Sequence, residues 1–239
     1  MRYLIVIPTI RQEVEGFNAT IEAVRDSLTQ PTELRILDGK AGKSQTLNAA
    51  YDELLSRFEG DVYVTLDDDL IPPHGWQDRV DDAFGLLPDV GMVSLWLGDG
   101  PVERNYMGAE HVGPENFADD VRYRLVLGNH HIPGYMLAFR KEVAVSVGKL
   151  PESDLKYQIW EDAWRGRRVL KQGFRLAYVV TDPPPRLVQY RDDEAYVAAK
   201  ERELAEGRKV EDVMLDSGGV GNSLLLKLRK RIARWRGRA

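Results

Sequence analysis

Residues 62–73, VYVTLDDDLIPP, run a short apolar strand straight into three consecutive aspartates and then two prolines. Carboxylates set side by side at the mouth of a buried strand repel one another and lose hydration, so they require a cationic or hydrogen-bonding partner. Three partners are chemically reasonable. A divalent cation takes hard carboxylate oxygens as ligands. An arginine or lysine from elsewhere in the chain would form ion pairs. The third is the open amides of a helix starting after Pro72 and Pro73, which Asp69 would cap.

Such a turn needs a frame, and the chain supplies one. Short apolar runs at 3–8, 34–38, 61–66 and 90–96 alternate with helical patterns at 16–28, 44–58 and 76–87, the signature of a βαβ series. Nearly continuous apolar strands fit a parallel sheet with helices on both faces. Between 98 and 129 the pattern weakens, with one strand expected at 121–127. Strands at 134–140 and 174–180 and helices at 141–147 and 161–172 follow, then an exposed charged helix at 192–207. The expectation is an α/β chain with a mostly parallel central sheet at 1–190, in halves 1–97 and 98–190, and a helical extension at 191–239.

Composition narrows the class. With 43% hydrophobic and 30% charged residues the chain is neither disordered nor built around apolar spans, and no run is long enough to cross a bilayer. The opening apolar run stops at Pro8 and is followed by acids, so a cleaved secretory signal is not expected. There is no cysteine, hence no disulfide and no thiolate metal site. A cytoplasmic protein is the expectation.

In order and rough spacing, VIPTIRQ, ILDGKAGKSQTLNAA, VYVTLDDDLIPPHGW, GYMLAFRKEV and WEDAWRGRRVLKQGFRLAYV resemble the family-2 glycosyltransferases with the GT-A fold. The resemblance spans roughly residues 2–180. It implies a Rossmann-like nucleotide-binding layer in 1–97, an acceptor-binding half in 98–190, and transfer of a sugar from a nucleoside diphosphate, a UDP-sugar by expectation, with inversion. Asp67 and Asp69 look like the outer positions of the family's DXD motif. The resemblance makes both ligands of Mn²⁺ or Mg²⁺ and places Asp67 and Asp68 against the nucleotide sugar. Asp38 matches the acid that bonds the base, Lys43 the family's glycine-lysine segment, and Pro8, Thr9 and Arg11 its other nucleotide loop. Plain structural readings stand beside these: Asp38 making a turn with Gly39, and Ser44 capping a helix. GKAGKS lacks the spacing of a P-loop.

Glu161 and Asp162 resemble the family's ED motif, which makes Asp162 the base that takes the acceptor's proton, with Glu161 beside it. Trp160 and Trp164 would supply an apolar wall or a stacking face. A helix N-terminus favours acids by itself, so position does not separate the readings. Arg165, Arg167 and Arg168 would neutralise phosphate or form surface ion pairs. Gly134 and His131, in or just before IPGYM, lie where the family faces its acceptor. The chain departs from the family after its final strand, where TDPPPRLVQYRDD carries no histidine as third metal ligand: either water, Asp182 or another group completes the site, or metal dependence is weaker than the motif suggests.

Residues 222–239 contain seven basic residues and no acid, so the net charge of −5 divides into +7 there and −12 elsewhere. Leu224, Leu225, Leu228, Ile232 and Trp235 fall on one face of a helical wheel, a pattern suited to an anionic membrane surface. Packing of that face on the body, or a clamp on nucleic acid, are the alternatives. These leave several functions open: a membrane-surface transferase with a glycan or lipid-linked acceptor, one acting on hydroxylated DNA bases, a nucleotidyltransferase, or a non-catalytic sugar-nucleotide-binding module.

Overall fold

Tyr3–Thr9 (β1) and Val62–Leu66 (β3) are buried almost throughout because strands lie on both sides of each and helices cover both faces. The computed structural model describes residues 1–97, 117–119, 123–126, 132, 134–151, 161–190 and 193–206. Along β1 the side chains alternate between two cores, as a pleated strand demands. Tyr3, Ile5 and Ile7 pack with Phe17–Asp26 (α1) and Trp76–Leu86 (α3), through Phe17, Ile21, Val24, Trp76, Val80 and Phe84. Leu4 and Val6 face the other way, toward Leu47 and Ala50 of Lys43–Glu53 (α2), Val143 of Lys141–Val147 (α4) and Val169 of Glu161–Lys171 (α5). At about 1.5–3 kcal/mol for each fully buried aliphatic or aromatic side chain, these two layers carry most of the favourable folding energy.

The remaining strands are Thr32–Asp38 (β2), Leu70–Ile71 (β4), Val90–Leu95 (β5), Phe117–Asp119 (β6), Tyr123–Val126 (β7), Met136–Arg140 (β8), Arg175–Val179 (β9) and Arg186–Leu187 (β10). Eight of them form one sheet in the order β2-β1-β3-β8-β5-β9-β7-β6. Six point the same way; β8 and β7 are reversed. The central sheet is therefore mostly parallel, as expected, and strands from 1–97 and 98–190 interleave in it. The edge strand β2 is only half-buried, because it has one neighbour.

Local departures from the sequence pattern have physical causes. Helix α2 ends at Glu53 rather than near Phe58, and a 3₁₀ turn at Leu55–Arg57 follows, which buries Leu55 and Phe58. β4 and β10 pair with each other antiparallel and bring the chain after β9 back across the aspartate turn. Asp193–Glu206 (α6) comes next. No described helix is long and apolar enough to cross a membrane. Trp160, His131, His111, His130 and the basic segment 222–239 lie outside the described residues.

Candidate active site

The aspartates sit at the carboxyl end of β3, where open α/β sheets gather their ligand-binding loops. Helix α3 begins at Gly75 without a side-chain cap, so Asp69 does not cap it. The acids are met instead by side chains from the neighbouring strand ends. Lys43 Nζ donates to Asp67 Oδ1 at 2.9 Å. Thr9 Oγ1 donates to Asp68 Oδ2 at 2.5 Å while accepting from the Arg11 amide at 2.8 Å. Arg11 Nη1 lies 3.3 Å from Asp68 Oδ1 and 4.0 Å from Asp69 Oδ2.

The backbone of the turn is fastened as firmly. The Asp67 amide donates to the Tyr135 carbonyl at 2.8 Å, the Val188 amide to the Asp69 carbonyl at 2.7 Å, and the Tyr190 hydroxyl to the Asp68 carbonyl at 2.8 Å. Burial pushes the Asp68 carboxyl above its ordinary range, against the pull of Thr9 and Arg11. Of the partners allowed by the sequence, chain cations and hydroxyls hold Asp67 and Asp68.

Lys43 reaches further. Its ammonium bridges Asp67 and Glu161, joining the turn after β3 to the first turn of α5. Burial alone would lower the lysine and raise Glu161, but Asp67 and then Glu161 outweigh it for the lysine, and Lys43 outweighs it for Glu161. Lys43 is held well above its usual range and Glu161 below. Helix α2 starts at Lys43 after Gly42, with no side-chain cap, so Ser44 is not one either; its side chain is buried.

Asp162, beside Glu161, takes the opposite shift. Burial first, and the Glu161 charge second, push its carboxyl up to about 7, and only a bond from the Ala163 amide at 2.7 Å opposes them strongly. Two adjacent acids are thus driven apart, one fixed as a carboxylate and one poised to exchange a proton near neutrality. The buried Tyr178 phenol lies within the field of Asp162 and packs edge-on against Trp96, ring centroids 5.1 Å apart. Trp164, half-buried, stacks instead with Arg168 at 4.9 Å.

Gly134 faces both acids. A Cβ there would stand 3.1 Å from Glu161 Oε1 and 3.3 Å from Asp162 Cβ. Gly134→Ala is therefore expected to shift Asp162 by a few tenths of an ångström and cut turnover by roughly tenfold with little change in stability. Steady-state rates and thermal melts on the same preparation check this; unchanged turnover would show that the close approach has no bearing on the chemistry.

The other expected residues fall into place unevenly. Pro8 and Thr9 end β1 beside Leu37 and Asp38 of β2. The Asp38 carboxylate is exposed and accepts from the Lys40 amide at 3.0 Å, making a local turn. Gly39 packs so closely on Thr9 that a Cβ would come 3.1 Å from its backbone. Arg11 is 2% exposed, with its guanidinium over the rings of both Tyr190 and Tyr196, 4.8 and 4.5 Å from their centroids. Arg165 is buried too, donating to Thr65 Oγ1 at 3.2 Å and stacking on Phe139, so it anchors α5 to the sheet. Tyr190 and Tyr196 escaped sequence reasoning. Their signal was faint: isolated aromatic residues in a charged C-terminal stretch.

For a divalent cation the donor set is of the right kind. Asp67 and Glu161 meet at Lys43, and Asp68 and Asp69 lie 3.3 and 4.0 Å from Arg11, so carboxylates and cations alternate around the turn. No group of three or more His, Asp or Glu among the described residues is arranged as a metal cage. A pair of carboxylates completed by a ligand's phosphates fits that pattern, as is common for Mg²⁺.

No family model matches the chain, and no curated protein sequence matches it. Among solved structures, glucosyl-3-phosphoglycerate synthase from Mycobacterium tuberculosis, in complex with Mn²⁺, UDP and phosphoglyceric acid, superposes with a TM-score of 0.53 at 13% identity. The match covers 92% of this chain and 79% of that one. The fold is that of the GT-A glycosyltransferases. Weaker GT-A likenesses are mannosyltransferase PcManGT from Pyrobaculum calidifontis (TM-score 0.47, 18% identity, 77% of this chain and 57% of that one) and S. aureus TarS 1-349 (0.49, 13%, 76% and 58%). The chain spans under three fifths of those two chains.

Proposed function

We propose that the protein transfers a sugar from a nucleoside diphosphate donor, a UDP-sugar, to an acceptor hydroxyl, with inversion at the anomeric carbon. The observation that carries this reading is Asp162: a carboxyl held near neutrality by burial, tied through Glu161 and Lys43 to an aspartate turn at the carboxyl end of β3 in a GT-A fold.

In this reading each residue has one task. Asp162 takes the proton of the acceptor hydroxyl as its oxygen forms the bond to the anomeric carbon, and the diphosphate leaves with the electron pair of the old carbon–oxygen bond. A base near pH 7 is matched to that task better than an ordinary aspartate. Glu161 stays ionised, holding Lys43 at the edge of the turn, where its positive charge faces the diphosphate. Thr9 holds Asp68 in place, and Asp38 lies at the rim toward the base. Gly134, packed against Asp162, is an acceptor-side residue in this reading, with Trp164, Trp160 and His131 as further ones. Asp67 and Asp69 would hold Mn²⁺ or Mg²⁺, which when bound offsets the charge gathering on the leaving diphosphate. Residues 1–190 form the catalytic unit in this reading, and 191–239 a C-terminal extension.

The pattern of 222–239 supports an acceptor at an anionic membrane surface, a glycan or lipid-linked glycan, for a cytoplasmic protein held at the inner face. Titration of UDP in the presence and absence of Mn²⁺ tests the donor reading. Metal-dependent binding is expected, weakened at least roughly tenfold by Asp69→Ala. Binding of UDP that ignores both the metal and the substitution would remove the aspartates from the donor site.

A further inference from the structure

One oxygen of Asp67 carries a cation of the chain's own. Lys43 Nζ donates to Asp67 Oδ1 at 2.9 Å, and Asp67 and Glu161 are the two partners of this ammonium among the described residues. The two carboxylates are unlike. Asp67 is 25% exposed, so an ion from solution reaches it, whereas Glu161 is 9% exposed, a group that burial would protonate and Lys43 keeps ionised. Both stand on fixed backbone, Asp67 through its amide on the Tyr135 carbonyl and Glu161 as the first residue of α5. The part free to move is the lysine, whose charge rides on a flexible four-carbon stem.

Lys43 and a divalent cation make competing demands on Asp67. Two cations on one carboxylate repel each other, strongly where water is partly excluded. Asp67, Glu161 and Lys43 together carry one negative charge, so a dication added alone turns the trio positive, and one added with a diphosphate does not. The diphosphate also offers the ammonium new charged oxygens, and Lys43 can keep Glu161 while it lets Asp67 go.

We propose that Lys43 holds the metal's place on Asp67, and that a nucleoside diphosphate admits Mn²⁺ or Mg²⁺ by drawing the lysine from Asp67 to its own phosphates, with Glu161 as the partner Lys43 keeps throughout. This rests on the donor reading given above and adds to it a dependence of metal on nucleotide. Affinity for the metal alone is the intrinsic affinity reduced to the fraction of molecules in which Lys43 has left Asp67. Metal and nucleotide then strengthen each other's binding by the same factor.

Mn²⁺ binding to the full chain without nucleotide, at pH 8, tests this. The informative variant is Lys43→Met with Glu161→Gln, which removes one charge of each sign and leaves the site's total unchanged. Asp162, raised to about 7, is mostly ionised at that pH in the wild type, so losing the charge beside it adds little. The paired variant is expected to bind Mn²⁺ roughly tenfold tighter than wild type, and a further Asp67→Asn to abolish the gain. Affinity equal to or below wild type overturns the competition, and so does a gain that survives Asp67→Asn. Lys43→Gln with Glu161→Gln gives the same charge-matched comparison if the methionine form does not fold. Saturating UDP is expected to raise Mn²⁺ affinity by a factor roughly tenfold larger in wild type than in the paired variant. Equal factors above one overturn the hand-over to the diphosphate while the donor reading stands. If UDP leaves Mn²⁺ binding unchanged in every form, the hand-over and the donor reading fail together, and the comparison without nucleotide alone upholds or overturns the competition for Asp67.

Discussion

Asp162→Asn is expected to cut the proposed sugar transfer by roughly 10²–10⁴-fold in turnover and to leave UDP affinity in Mn²⁺ within a few-fold of wild type. The amide is nearly the size of the carboxyl and cannot take the acceptor's proton. The wild-type rate is expected to carry the matching signature. A base with its pKa raised to about 7 must be deprotonated to act, so the rate is expected to rise as pH passes upward through about 7 and then level. An unshifted aspartate would place that limb near its ordinary value of 3.8.

The same shift has a cost for folding, and its sign is opposite to that of most acidic side chains. The folded chain holds the Asp162 proton up to about pH 7 and the unfolded chain releases it near 3.8, so stability falls as pH rises through that window. Asp162→Asn removes the penalty. It is expected to raise stability by on the order of 2 kcal/mol at pH 8 and to change it little at pH 4. Turnover by Asp162→Asn at the wild-type rate, or an Asn variant no more stable at pH 8 than at pH 4 relative to wild type, would remove the base assignment.

Lys43→Met is the second large effect, and it falls on stability. Without the ammonium, Asp67 and Glu161 face each other across the site as carboxylates, with Glu161 only 9% exposed. Stripping one partner from a buried pair leaves an uncompensated charge, worth about 3 kcal/mol here. The deficit depends on pH. Glu161 is held below its ordinary 4.5, so its contribution is present at neutral pH and lost as the carboxyl protonates in acid. Urea denaturation is expected to show the full deficit at pH 7, a smaller one near pH 4, and substantial recovery in Lys43→Met with Glu161→Gln. A deficit independent of pH and unrelieved by Glu161→Gln would mean the lysine matters only through its packing.

The two acids and the lysine also show what the sequence made visible. Strands β1, β3 and β5 were legible because burial on both faces leaves an unbroken apolar run, and Lys141–Val147 because a helix follows a strand that ends in Arg140. The two-residue strands β4 and β10 were not, since their pairing joins residues 115 apart through Ile71 and Arg186, and two residues carry no period. Asp67, Glu161 and Asp162 stood out by residue type, but the Lys43 bridge between the first two depends on how β3, α2 and α5 converge. The burial of Arg11 was not legible for the same reason: it depends on Tyr190 and Tyr196, which come from the far end of the chain to lie against its guanidinium. The exposed Asp38 turn shows the reverse, a local feature contained in the sequence from Asp38 to Lys40.

The interleaving of the sheet has a consequence for how the chain is made. Strand β5 leaves the ribosome well before either of the strands that flank it, since its neighbours are β8 and β9. At about 5–20 residues per second, the stretch from Leu95 to Met136 takes roughly two to eight seconds to appear. Throughout that interval the nascent chain can pair β2, β1 and β3 as a parallel trio, while Val90–Leu95, wholly buried in the finished protein, has no strand to join. The reversed strand β8 is the closing piece that admits β5 to the sheet, and the earliest-made half of the molecule waits on the later half to be sealed.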